Sequence, residues 1–219
     1  MKHRRITPIA TVVAITIVAV QLAVTAQAAT GYKLADKTGQ SIAIFRDEIV
    51  NGKKDVDAAM AALDKIVTTA ATDPRRAYAE FSKTVPRVDD AAKRAKKRAE
   101  EMKARGQAYF KDWEKEMATV SNPEIRKLAV DRKAQLQASF DSIKSVAEPA
   151  RDLFNAWFAD LKDLDKYLNN DLTINGINSA KDLIAKTKTE GQAVQQSLDK
   201  VIAELNTIVA TITPAKAKK

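Results

Sequence analysis

The chain has 219 residues, no cysteine, one histidine (His3), six glycines and six prolines; 30% of its residues are charged and its formal net charge is +9. This inventory excludes a disulfide scaffold, a cysteine-ligated metal site and a glycine-rich nucleotide loop, and the length allows one large domain or two small ones. Ala, Lys, Asp and Leu dominate, the composition of long helices with polar outer faces.

The first thirty residues stand apart. Met1-Lys2-His3-Arg4-Arg5 is basic, Ile9 to Val20 is aliphatic apart from Thr11 and Thr16, and Ala26-Gln27-Ala28 supplies a small-x-small site. That order is a signal peptide's, so cleavage after Ala28 and export to the periplasm or cell envelope are expected. The alternative is an uncleaved N-terminal anchor, since about 20 apolar residues span a bilayer. No cysteine follows the apolar stretch, which excludes a lipid anchor at that site. Cleavage would remove His3 with Lys2, Arg4 and Arg5, leaving 191 residues with 34 basic and 28 acidic groups, a net +6. The mature chain, without thiols, would be held together by burial alone.

From Ile42 onward apolar residues recur in steps of three and four. Ile42, Phe45, Ile49, Gly52, Val56, Ala59, Leu63, Ile66 and Ala70 form the first seam, predicting a helix over about Gln40–Thr72. Asp73-Pro74 suits a cap followed by the first helical position. Pro86 is expected to break or kink the second helix, whose seam runs Val88, Ala92, Ala95, Ala99, Met102, Gly106, Tyr109, Trp113 and Val120. Its early seam is mostly alanine, so the facing helix must approach closely or be bulky. Ser121-Asn122-Pro123-Glu124 stops one helix and starts the next. The third seam is Ile125, Ala129, Arg132, Leu136, Phe140, Ile143, Ala147, Ala150, Phe154, Trp157, Leu161, Leu164 and Leu168, with Pro149 bending the helix without ending it. Asn175-Gly176 reads as a turn. The last helix repeats every seven residues at Ile177, Ile184, Gly191, Leu198, Leu205 and Ile212, with Val194, Val201 and Ile208 three further on. Pro214 opens a basic tail, residues 214–219.

The expected fold is all-α: a single elongated antiparallel coiled-coil-like bundle of four long helices over residues 29–213. The outer helices should span about 50–55 Å and the inner pair about 70 Å at 1.5 Å per residue. The central hairpin should then project at the Ser121–Pro123 turn. Gly52, Gly106, Arg132, Thr187 and Gly191 interrupt the seams as points of close approach or register, within a monomer or between copies.

Three features are candidate sites. Lys93, Arg94, Lys96, Lys97 and Arg98 place five cations in six residues, a candidate patch for anionic lipid or surface polymer, or the ordinary solvated face of a helix. The absence of interleaved aromatics argues against nucleic acid. Trp113 and Trp157 fall on seams and should be core, whereas Phe110 and Phe158 sit beside them as candidate partner contacts. The segment Asp171 to Asp182 overlays part of a calcium loop, with oxygen-bearing residues at positions 1, 3 and 5 and glycine at 6. It carries Asp at position 12 and Asn178 at position 8, and the same residues serve a plain turn and N-cap. Finally, the mature chain has neither His nor Cys, and its serines lack a glycine-flanked elbow, so catalysis and a cofactor are not expected.

Asp112-Trp113-Glu114-Lys115-Glu116, Ser121-Asn122 with Arg126, Pro149 with Leu153-Phe154, and Lys166-Tyr167-Leu168-Asn169-Asn170-Asp171-Leu172-Thr173 occur in an order that resembles a bacterial family catalogued as domain of unknown function 2959. The resemblance covers about Tyr109 to Leu183, with the flanking helices matching by pattern. Lys37-Thr38-Gly39-Gln40 matches loosely, and no lipid-anchoring cysteine is present. The resemblance implies an exported or envelope-associated helical protein and assigns no reaction. The expected function is therefore a non-catalytic structural or interaction-mediating protein of the envelope with a protein or envelope-component partner. The alternatives are a holdase-like chaperone for unfolded exported clients and a binder of anionic surfaces through Lys93 to Arg98.

Overall fold

A computed structural model of the chain describes the backbone of residues 13–213 and the side chains of residues 31–213. The basic N-terminal cluster, the start of the aliphatic stretch and the 214–219 tail lie outside the described residues, as do the side chains of the expected cleavage site. Among the described residues four helices make up the fold: α1 (Val13–Thr68), α2 (Pro74–Ala118), α3 (Pro123–Asn170) and α4 (Ile174–Ile212). Among the described residues, no helix is long and apolar enough to cross a membrane.

The boundaries follow from local chemistry. The Asp73 carboxylate accepts from the Arg76 amide at 3.3 Å, and Pro74 occupies the first helical position, where its missing N–H is harmless. Asn122 accepts from the Glu124 and Ile125 amides at 2.9 and 3.3 Å, again ahead of a proline. Thr173 accepts from the Gly176 amide at 3.0 Å to open α4. Each connection is only a few residues long, so successive helices run antiparallel.

Several expectations need correcting. α1 is a 56-residue helix that starts well before Gln40. Gly31 and Gly39 each weaken a helix by at most about 1 kcal/mol and do not end one, and the seam extends back through buried Thr38 and Ala35. Pro86 does not divide α2, which is continuous around it as α3 is around Pro149. Asn175-Gly176 is the first turn of α4 rather than a loop. Gly176 has no positive φ; a side chain there would collide with the Asp171 carboxylate and main chain.

In space the helices close a ring, each touching its neighbours in sequence, with α1 also against α4. α1 packs along α2 and α4, and α3 packs along α4, while α2 and α3 make the sparsest contact of the four pairs. Buried residues on α3 include Ala129, Leu136, Ile143, Ala150, Trp157 and Leu164, an unbroken seven-residue repeat. From Leu136 to Leu164 they feed two separate cores. One lies toward the 69–73 and 171–173 connections and is built around Leu63, Phe81, Trp157, Leu161 and Leu168. The other lies toward the 119–122 connection, around Ile42, Leu136, Leu205 and Ile208. Leu198 packs against both.

The helices end at different levels. The last turn of α4 lies beside Gly39 of α1 and Arg132 of α3, so Pro123 to Asp131 run on for about 13 Å beyond it. Ser121 to Leu128 are all exposed. Ile125, counted in the third seam, is exposed because α4 has ended before its level. The hairpin therefore projects past α4, but α1 extends in the same direction, so it does not project past both outer helices.

Candidate functional site

Where the two cores part, the bundle is open on its α2–α3 side. The residues at this level are small: Gly52 on α1, Ala91, Ala92, Ala95 and Ala99 on α2, and Ala147 and Ala150 on α3. Two facing alanine tracts cannot fill the space between helices that the larger residues at either end hold apart. The result is a groove of about 670 Å³, within the ~300–1,000 Å³ range of small-molecule sites. It follows α2 from Val88 to Ala99 and α3 from Lys144 to Asn155, about 16 Å of each helix. The expected close approach to the alanine seam is made by α1, whose Gly52 lies beside Ala91, whereas α3 stands off from it. Ala91 is buried, but Ala92, Ala95 and Ala99 remain half-exposed along the wall.

The floor is apolar, formed by Phe45, Ile49, Val56, Leu198 and Val201, with Phe154 on the α3 wall. The rim is charged. Lys93 and Lys96 stand on the α2 side, Lys144, Glu148 and Arg151 on the α3 side, and Glu48 comes from α1. Four cations therefore face two carboxylates. Glu48 is already engaged by Arg94 at 2.7 Å, and Glu148 lies 3.7 Å from Lys144. Lys93 is held charged, its pKa raised first by its hydrogen bond to Asp89 and then by that carboxylate's field. With Lys93 on Asp89 at 2.6 Å, Lys144 beside Glu148 and Arg151 on Asp152 at 2.9 Å, the charges of the rim are largely balanced, and among the described residues Lys96 is its one cation without an ion pair.

The predicted basic patch is divided by this geometry. Lys93 and Lys96 line the groove. Arg94 fastens α2 to α1 through Glu48, as Arg87 does through Asp55 at 2.6 Å. Arg98 pairs along its own helix with Glu101 at 2.8 Å, which lowers the pKa of that carboxyl. Lys97 is exposed. The α3 half of the site went unnoticed in the sequence. Its signal was a second alanine pair, Ala147 and Ala150, between Lys144 and Arg151.

The aromatic candidates are placed as follows. Trp157 is fully buried, and its indole N–H has no partner within the described residues. Trp113 is only half-buried, edge-on to Tyr109 at 5.9 Å. Phe110 is half-buried and meets Phe140 in a T-shaped contact at 5.3 Å. Phe158 does not offer a free face: it is buried, stacked on Phe154 at 5.6 Å, with the Lys162 ammonium 4.9 Å over its ring. It lies beside the seam, and Phe154 and Lys162 cover its ring.

The Asp171 carboxylate accepts from the Thr173 hydroxyl at 2.6 Å and the Thr173 amide at 3.2 Å. These bonds hold its pKa below the ordinary carboxylate range. Asp182 is on α4 and exposed, and the two acids are not gathered into a site; among the described residues no group of three His, Cys, Asp or Glu is placed to hold a metal ion.

A family model described as protein of unknown function (DUF2959) matches residues 25–212. No curated protein and no solved structure matches the chain.

Proposed function

The chain belongs to the DUF2959 family, and from that premise we propose that it is an exported, non-catalytic interaction protein of the cell envelope whose binding element is the α2–α3 groove. The observation that carries this reading is the groove itself: an apolar slot of about 670 Å³ opened between two cores, with a rim of lysines, arginine and glutamates. Its charged groups are suited to recognition. Lys93 is kept protonated, Glu48 is neutralised by Arg94, and no nucleophile–base pair faces the slot. Export rests on the order of residues in the first 28 positions, basic then aliphatic then small-x-small.

The reading is tested by placing a photo-cross-linkable residue at Ala95 in the groove wall or at exposed Ala203 on α4, in cells producing the full chain. The expected product, by N-terminal sequencing, begins at Ala29 in the envelope fraction and forms adducts from position 95 only. An unprocessed cytoplasmic chain, or equal adducts from both positions, overturns it.

A further inference from the structure

Resting on the groove as the binding element, we infer that its occupant is a single-chain amphiphile with an anionic headgroup. Three observations select this chemistry. The floor and walls are aliphatic and aromatic, so the buried part of the ligand is hydrocarbon. The slot is elongated, running about 16 Å along α2 and α3, so a flexible hydrocarbon chain can lie along it. The polar end is dictated by charge. Of the four cations that line the slot, Lys93 is paired with Asp89, Lys144 with Glu148 and Arg151 with Asp152, and Glu48 is taken by Arg94, which leaves Lys96. A carboxylate or phosphate at the mouth would meet Lys96 free of any competing ion pair among the described residues.

The position of Phe154 provides a reporter. It lines the groove and its ring lies 5.8 Å from that of Trp157, so a ligand pressed against Phe154 should perturb Trp157 emission. The experiment uses protein purified from cells expressing the full chain, with Trp113→Phe leaving Trp157 as the sole indole. Tetradecanoate, 1-tetradecanol and tetradecyltrimethylammonium are titrated below their micellar concentrations. We expect saturable binding of tetradecanoate, on the order of tenfold tighter than the neutral alcohol, with the cation weaker still. Lys93→Ala with Lys96→Ala should erase the preference for the anion and leave alkyl-chain binding in place. Ala95→Leu, which fills the slot, should abolish binding of all three, and Ala147→Leu does the same from the opposite wall; circular dichroism identifies any variant that fails to fold.

Equal affinity for the three headgroups, or undiminished binding in both filled variants, overturns the inference. So does retention on large anionic vesicles that neither filled variant weakens, because recognition would then belong to the surface charges. Protein-only adducts from position 95, with no response to tetradecanoate, would reject the amphiphile in favour of an acidic-faced peptide and leave the groove reading standing. Absence of both adducts and amphiphile binding would reject the two together.

Discussion

The Arg132 guanidinium on α3 donates a 3.0 Å hydrogen bond to the carbonyl of Thr211 in the last turn of α4. Carbonyls in a final helical turn have no partner within the helix, and a cation there also meets the negative end of the dipole. One side chain therefore caps α4 and sets its end against α3, which explains an arginine in an otherwise apolar seam. Arg132→Met, which keeps the aliphatic stem, should lower stability by about 1–2 kcal/mol. Faster amide exchange in residues 205–212 than at the 171–173 end of the same helix would show the cap as the cause. Uniform acceleration along α4 would contradict it.

Two seam glycines should answer the same substitution with opposite signs. A methyl group built on Gly52 comes no nearer than 3.7 Å, to the Ala91 methyl. Gly52→Ala should therefore stabilise by the helix-propensity difference, about 0.5–1 kcal/mol. On Gly106 the same methyl would lie 2.7 Å from an edge carbon of the Phe140 ring. Gly106→Ala should then destabilise by about 1 kcal/mol net, overpacking outweighing propensity. Denaturant titration of both variants, and of Gly106→Ala combined with Phe140→Leu, separates the terms; the double variant should recover most of the loss.

Thr187 is fully buried, and its hydroxyl has no hydrogen-bond partner within the described residues. Replacing it with isosteric valine removes a desolvated polar group at constant volume. Thr187→Val should raise stability by about 1 kcal/mol. A loss of stability on thermal or chemical unfolding would show that the hydroxyl is satisfied in solution.

The connection into α4 should be sensitive to acid. Asp171 has its pKa lowered by the bonds from Thr173, so its charged form is favoured by folding. The associated stability is present above the unfolded-state pKa and is lost as pH falls through the depressed folded value. Asp171→Asn should therefore melt lower than the parent near neutrality, and the gap should close below the ordinary carboxylate range. Melting curves collected from neutrality into strong acid measure this, and a gap independent of pH would assign the loss to geometry alone.

The number of helices, their order and most of their buried faces were legible in the sequence because burial on a helix repeats with its own geometry. The repeat from Ala129 to Leu164 is visible with no knowledge of what it packs on. Caps were legible too: Asp73-Pro74 and Asn122-Pro123 act within four residues. Ile125 was misread because periodicity says which face a residue is on and not whether a neighbour reaches that far. Asn175-Gly176 was misread because its glycine answers to a close approach from Asp171, which a dipeptide rule does not see. Phe158 was placed beside the seam correctly, but its burial comes from the Phe154 ring stacked on it and the Lys162 side chain over it, which helical spacing alone does not show.

The binding element shows where local reading ends. Sequence alone determined an all-α chain, four amphipathic helices, their antiparallel order and a cluster of cations on the second, since each is written in spacings of a few residues. Only the tertiary structure decided that Ala92, Ala95 and Ala99 face Ala147 across a gap, that Lys93 and Lys96 stand at its mouth, and that Arg94 and Arg98 are drawn away to carboxylates. A cavity belongs to no residue: it is the volume left when helices held apart by large side chains at both ends carry small ones between them.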